Sequence, residues 1–370
     1  MERMLYSSYS DSKIHISTSR WLSDGGQAFP ESLVAVTLAD ALMSFDDQLG
    51  LLLENVRNSV LAEGTPVLIR FFLSDPANQS ARLRERCRLD CPVSVIGQAP
   101  LNGTKIAAML WCRKGAELSR VDERMHRITW MGMDEFWFTG GVSDCEGACG
   151  QTVSLLSCLS SELEAQGLTL EANCVRTWLF VQNIDVNYKG VVDGRNIVFD
   201  RHGLTPDNHF IASTGIEGRT GNHLNKVMLD AVAVSGLRVP VKYLYGESHL
   251  NRTSQYGVRF ERGSVVEYPD RRHVLISGTA SIDNKGKILY EGDIVRQTER
   301  MLENVGILLA EAGCGFSQVG YMIVYLRDTA DYAVVSRIFD NRFPDCPRVM
   351  VLAPVCRPGW LVEMECLAIY

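Results

Sequence analysis

The chain has 370 residues, 46% of them hydrophobic, with 37 basic against 44 acidic side chains and a net charge of −7. That length allows two or three domains with cores of their own, and an acidic balance with no basic cluster beyond the mixed RLRERCR at 82–88 leaves a nucleic-acid backbone nothing to hold. No 18-residue apolar run and no leader-like start is present, so no membrane span or signal peptide is expected and the chain reads as cytoplasmic, with its 11 scattered cysteines as reduced thiols.

In chain order, the first amphipathic helix is predicted at QLGLLLENVRNSVLAEG, from Gln48 to Gly64. A strand closing on Asp75 (VLIRFFLSD), a polar helix over 77–88 and strands over 92–97 and 104–112 follow. The order then returns with QTVSLLSCLSSELEAQG from Gln151 to Gly167, CVRTWLFVQNID to Asp185, a helix over 187–200, and strands over 209–215 and 226–235. It returns once more with QTERMLENVGILLAEAG from Gln297 to Gly313, YMIVYLRD to Asp328, a helix over 330–342, and strands over 348–355 and 360–369. Each long helix stops on a glycine suited to a C-cap. A hairpin opens the last repeat, SVVEYPDRRHVLISGTASI, turning at Pro-Asp. We therefore expect three α+β units of roughly 110 residues, over 1–120, 121–262 and 263–370. The Tyr- and Arg-rich connection at 236–262 reads either as a functional insertion or as a packing strap.

The third unit resembles the YjgF/RidA superfamily through ISGTASIDNKGKILYEGDIVRQTERMLENVGILLAEAG, YLRD and RVMVLAPVCRPGWLVEMECLAI, with Arg348 lying 15 residues before Glu363. Members are typically homotrimers of a chorismate-mutase-like unit with ligand clefts between subunits. Three tandem units thus imply a pseudo-trimer built from one chain, monomeric or weakly associating. RTW at 176–178, GR at 194–195, IASTGIEG at 211–218, QYG at 255–257, SGTAS at 277–281 and VCRPGW at 355–360 resemble the chorismatases of the same superfamily, although the segment after QYG differs from theirs.

On the last strand Glu363 and Glu365 share a face about 7 Å apart. In an apolar crevice, burial and a like charge raise the pKa of one of them, and a carboxyl that keeps its proton near neutrality can serve as a general acid. Glu363 occupies the family's acid position, and Glu365 tunes it. The competing reading is a solvated sheet edge. Arg348, Arg195, Arg259 and Arg357 are candidates to hold substrate carboxylates through guanidinium forks, with Tyr256 of QYG beside them. Cys356 reads as a pocket-lining thiol. The turn Ser277-Gly278-Thr279 offers backbone N–H groups and hydroxyls to a carboxylate or oxyanion. His202 and His209 lack a third ligand nearby, so no metal is expected, and the chemistry needs no cofactor. The resemblances imply protonation and hydrolysis of an unsaturated carboxylate, chorismate or an enamine/imine. Deamination and non-catalytic metabolite binding are the alternatives.

Overall fold

The computed structural model describes residues 3–22 and 29–370. The first unit contains β1 (Arg3–Ser10), β2 (Ile14–Leu22), β3 (Glu31–Leu38), α1 (Phe45–Glu63), β4 (Thr65–Leu73), α2 (Pro76–Arg86), β5 (Val93–Ile96), β6 (Ala99–Pro100) and β7 (Ile106–Arg113). The second contains β8 (Glu117–Arg120), β9 (Met125–Trp130), β10 (Met133–Gly141), α3 (Gly147–Glu164), α4 (Leu170–Asn173), β11 (Cys174–Val181), α5 (Ile184–Arg201), β12 (Ala212–Glu217) and β13 (Val227–Ser235). The third contains β14 (Lys242–Leu244), β15 (Gly263–Glu267), β16 (Arg272–Ala280), α6 (Ile294–Ala312), β17 (Val319–Leu326), α7 (Tyr332–Arg342), β18 (Arg348–Leu352) and β19 (Val362–Ile369). Among the described residues the strands form three sheets, ordered β1-β2-β3-β7-β4-β5, β12-β11-β13-β10-β9-β8 and β14-β15-β16-β19-β17-β18-β6. The fold is α+β, a tandem of three like units forming a pseudo-trimer. Strand β14 ties part of the 236–262 connection into the third sheet, and β6 crosses from the first unit to pair with β18.

Why the repeat begins on glutamine is visible in the structure. Gln48, Gln151 and Gln297 are buried at the starts of α1, α3 and α6. Each amide group donates to carbonyls of the loop before its own helix: Gln48 to Asp40 and Met43, Gln151 to Cys145, and Gln297 to Tyr290. Each amide oxygen accepts an N–H at the approach to the unit's last strand, from Lys105, from Lys226 and Val227, and from Leu361. One side chain thereby satisfies orphan backbone groups of both segments. The glycine signal works as expected at α1 and α6, where the N–H of Gly64 and Gly313, both at positive φ, bonds back to the last turn. Helix α3 ends three residues before Gly167, whose N–H reaches Glu164.

A register slip repeats as well. In β4–β7, β11–β13 and β17–β19 the pairing shifts at the same place, between Pro66 and Leu68, Cys174 and Arg176, and Val319 and Tyr321. Beyond that bulge, Arg70 faces Met109, Trp178 faces Asp230, and Ile323 faces Glu365. Two residues further along each ladder, Phe72 faces Ala107, Phe180 faces Met228, and Tyr325 faces Glu363. Structurally, then, Ala107, Met228 and Glu363 are equivalent, as are Met109, Asp230 and Glu365.

The sheets turn their inner faces to a common core holding Trp21, Trp111, Trp130, Trp137 and Trp178. Buried ion pairs cross it. Arg70 of the first unit meets Asp230 of the second at 2.9 Å and lies 3.6 Å from Glu365 of the third, while Arg113 binds Glu31 and Glu135, each at 2.8 Å. Removing one member of such a pair typically costs about 3–5 kcal/mol, because it strands the other. These pairs therefore set how the units meet.

Candidate active site

Successive units leave a cleft between them, and each cleft is assembled in the same way. The strand after the second helix of one unit lies against the last strand of the next. Ser94 on β5 bonds Asp230 at 2.5 Å, Thr214 on β12 bonds Glu365 at 2.5 Å, and β18 lies with residues of the first unit, including His15 and Thr37, around a third cleft.

Glu363 lies in the cleft between the second and third units. Glu363 is 5% exposed on β19, a central strand rather than an edge, and lines the cleft with Tyr188 and Arg195 of α5, Phe260, Arg262 and Cys356. Its carboxyl group rests on Gly278, where a Cβ would stand 2.1 Å from Oε1. This is the reason for glycine at that bulge of β16. Burial, then the charge of Glu365, pushes its pKa up to about 8, while Arg176 and Arg262 pull more weakly the other way. At neutral pH this carboxyl keeps its proton.

Glu365 lies on the same face but not in the cleft. Its oxygens accept from Arg176 at 2.9 Å, Trp178 Nε1 at 2.8 Å and Thr214 Oγ1 at 2.5 Å. Thr214 in turn accepts the N–H of Gly278 at 2.9 Å. The two glutamates thus divide their roles: one carboxylate is locked among donors, and the other is held above a glycine at the cleft surface.

The expected binding residues separate into those the structure gathers at Glu363 and those it does not. Arg195, Arg357, Cys356 and Gly278 line the cleft. The pKa of Cys356 is pushed up to about 12, first by burial and then by Glu363, so the thiol stays protonated and is no nucleophile. The hydroxyls of Ser277 and Thr279 are engaged elsewhere: Ser277 bonds the Glu261 carbonyl at 2.6 Å and accepts from the Ser213 N–H at 2.9 Å, and Thr279 donates to the Ser277 carbonyl. The three residues lie within β16, at its bulge rather than in the turn expected from the sequence, and only the glycine of the three lines the cleft. Arg259, expected here, instead binds Asp200 and the Asn196 carbonyl on α5. The side chain of Tyr256 lies outside the described residues.

Arg348 is the main correction. It binds Asp340 and the Phe343 carbonyl, and lines the cleft between the third unit and the first. The strand registers explain this. Arg348 is equivalent to Ser213 and Val93, because β18, β12 and β5 each pass their residues to the following unit. A 15-residue spacing within one unit therefore spans two different clefts. In the acid's cleft the position of Arg348 is occupied by Ser213, and the guanidinium groups come from α5 and from the strap. Arg262 is the residue that sequence reading missed. It donates to the Asn251 carbonyl at 3.0 Å and carries Phe260 between itself and Arg195, each guanidinium 5.8 Å from the ring centre.

The open volume beside Glu363 is only about 40 Å³, little more than one water molecule occupies. Val258 and Phe260 are among the residues that line it. Among the described residues no cluster of three metal-ligating side chains occurs, and no helix is long and apolar enough to cross a membrane.

Three tandem α+β units meet at inter-unit clefts, one of which brings a buried carboxyl group among guanidinium groups. The chain belongs to the YjgF/RidA superfamily. The Endoribonuclease L-PSP family model matches residues 264–370. A RutC family protein of Pyrococcus abyssi is 32% identical over 97 residues, 26% of this chain and 76% of that protein. The 3-aminoacrylate deaminase RutC of Acinetobacter baylyi is 29% identical over 97 residues, 26% of this chain and 77% of its own. A chorismatase crystal structure shares the fold, with a TM-score of 0.65, 19% identity, and coverage of 82% of this chain and 93% of that one.

Proposed function

We propose that the cleft between the second and third units protonates an electron-rich double bond in a small carboxylate, an enol ether of the chorismate type, and hydrolyses it with release of pyruvate. The observation that carries this reading is Glu363, a buried carboxyl whose pKa of about 8 keeps it an acid at neutral pH. Its O–H delivers the proton to the terminal methylene carbon as the C=C electrons form the new C–H bond, and the ether oxygen shares the resulting positive charge. Water adds to that cationic carbon and gives its surplus proton back to the Glu363 carboxylate. The hemiketal C–O bond then breaks as the ring oxygen takes a proton from Glu363 and the hemiketal hydroxyl returns one to the Glu363 carboxylate, leaving pyruvate and the ring alcohol.

Arg195, Arg262 and Arg357 are the groups to hold the substrate's carboxylates. The walls of Phe260, Ile282 and Trp360 keep the site poor in water, which strengthens each charge interaction within it. With so little open volume beside the acid, the Val258–Phe260 stretch must swing outward to admit a ring.

Deamination of an enamine is the second reading, favoured by the 29% identity over 97 residues to a 3-aminoacrylate deaminase. It uses the same proton transfer. The separation of Arg348 from Glu363 weighs against it, since the resemblance behind it implies both in one cleft. Pyruvate release from chorismate, followed with lactate dehydrogenase, tests the proposal. Release by the wild type and none by Glu363→Gln supports it. Turnover of an aminoacrylate without action on chorismate supports deamination, and thermal stabilisation by carboxylates without turnover of either substrate leaves a binding protein.

A further inference from the structure

Three facing pairs are equivalent across the ladders β4–β7, β11–β13 and β17–β19: Phe72 with Ala107, Phe180 with Met228, and Tyr325 with Glu363. The second and third units repeat the frame around the pair. Asp230 stands where Glu365 does and accepts the N–H of Gly140 at 2.8 Å. Gly140 lies in a bulge of β10 matching that of Gly278, as the register shifts between Phe138 and Gly141 and between Ile276 and Thr279 show. An aromatic ring is kept at the first position of the pair in all three units, and a hydroxyl is added only where the facing residue is the acid.

In the resting fold that hydroxyl holds nothing. Tyr325 is 0% exposed, and among the described residues its Oη has no hydrogen-bond partner. A buried donor left unpaired is costly, and Phe72 and Phe180, equally buried, fill the same place without that cost. Burial, then the charge of Glu365, holds the Tyr325 pKa well above the ordinary tyrosine value, so the group stays a neutral O–H donor. Facing residues of an antiparallel pair have Cβ atoms about 4.5–5.5 Å apart on one side of the sheet, so rotation of the Glu363 side chain can bring its carboxyl group to the hydroxyl. The other groups around the pair are engaged. Arg70 on β4 and Arg176 on β11 bind Asp230 and Glu365, and Arg262 of the strap binds the Asn251 carbonyl. Tyr321 on β17 and Cys356 are neutral, held so by burial, while Arg195 of α5 and Arg357 line the cleft where the substrate's carboxylates would sit.

We infer that Tyr325 is a positioning residue for the acid: its hydroxyl donates a hydrogen bond to the carboxylate that Glu363 becomes on giving up its proton, and keeps its own proton throughout. The catalytic meaning rests on the reading of Glu363 as the general acid, whereas the hydrogen bond itself requires only that Glu363 ionise. Unpaired in the protonated site and paired as charge develops on Glu363, the hydroxyl acts where it lowers a barrier rather than where it would tighten the ground state.

The test is a pH titration of the full chain labelled with ¹³C at the glutamate side-chain carboxyl, the Glu363 resonance being identified by its loss in Glu363→Gln. In Tyr325→Phe the Glu363 midpoint should rise by roughly one unit above the wild type, as for the loss of one hydrogen bond to a charged group. The kinetic counterpart is a kcat lower by roughly tenfold with the alkaline limb displaced to higher pH, a combination that a merely structural disturbance of the site does not produce. A midpoint that stays or falls overturns the inference. Should Tyr325→Phe not fold, the wild type decides: the Tyr325 ring Cε–H resonance, assigned by its nuclear Overhauser contacts, must shift with the Glu363 midpoint, and a resonance flat through that titration overturns the inference. A raised midpoint in Tyr325→Phe, in a chain whose wild type never releases pyruvate, supports the inference and removes the reaction. An unmoved midpoint beside intact pyruvate release removes the inference alone.

Discussion

Two clefts of this molecule share a backbone plan and differ in what stands on it. Between the second and third units, a glutamate rests on a glycine, guanidinium groups surround it, and about 40 Å³ remains open. Between the first and second, a methionine takes the glutamate's place and about 740 Å³ is open. In a symmetric trimer every cleft must carry the same residues, whereas three covalently joined units can each be substituted separately. The comparison teaches that the inter-unit framework, anchored by Arg70–Asp230 and Arg176–Glu365, is distinct from the chemistry mounted on it.

The largest expected effect breaks that comparison outright. Glu363→Gln makes the acid's cleft chemically like its neighbour, and kcat should fall by about 10²–10⁴, the usual contribution of a positioned general acid. The same variant should fold more stably at alkaline pH. With its native pKa raised from 4.5 to about 8, Glu363 binds its proton more tightly in the folded chain than in the unfolded one. The stability this provides is complete below the unfolded value and is lost as pH rises through the folded value. Denaturant titrations on either side of that window should show the wild type losing ground to Glu363→Gln as pH rises. A constant difference would mean that the carboxyl is not held in its neutral form.

Next come the paired glycines. Gly278→Ala puts a methyl group where the Glu363 carboxyl now rests, 2.1 Å from Oε1, so the acid must move. A displacement on the ångström scale at a reacting group costs about 10²-fold in rate, with little loss of substrate affinity if the guanidinium groups stay in place. At Gly140 a Cβ has nothing within 4 Å, but φ is +65°. Gly140→Ala should therefore cost about 1–2 kcal/mol of stability through its left-handed backbone and leave kcat unaltered. If both variants lose activity equally, the two bulges are not separable in function.

A smaller effect sharpens the account of the acid. In Glu365→Gln the charge that helps hold the proton on Glu363 is gone while Arg176 remains. The alkaline limb of the pH–rate profile should move to lower pH by roughly one unit, the scale of one close charge. The fold should also weaken, because Arg70 and Arg176 lose a charged partner. A limb that stays in place would assign it to another group.

Much of the fold was legible in the sequence because its signals are local. Helical periodicity, terminal glycines and the repeated initial glutamine gave the order of elements in all three units, and Gln48, Gln151 and Gln297 repeat because they solve the same backbone problem. Glu363 and Glu365 were legible as a pair sharing one face, since strand alternation needs only the strand. Which residues meet across units was not legible, because it depends on packing between segments more than 100 residues apart, such as Arg176 with Glu365. One signal was available: Arg70 and Arg176 interrupt runs that are otherwise apolar, and a charge in a buried strand demands a distant partner.

The smallest expected effect is the most discriminating for the architecture. By spacing alone Arg348 belongs with Glu363, and its removal should then raise KM steeply. In the fold it faces the first unit, where the position equivalent to the acid is Ala107, and its guanidinium serves Asp340 and the Phe343 carbonyl. Arg348→Ala should therefore leave kcat and KM within about twofold of the wild type and cost about 1–2 kcal/mol of stability, as for a largely buried guanidinium that loses its bonds to the exposed Asp340 and to the Phe343 carbonyl. Arg195→Ala, at the acid's own cleft, should raise KM far more, because it removes a carboxylate fork from that cleft. Were the two variants to exchange behaviour, substrate would be binding where the third unit meets the first, and Glu363 could not be the group that protonates it.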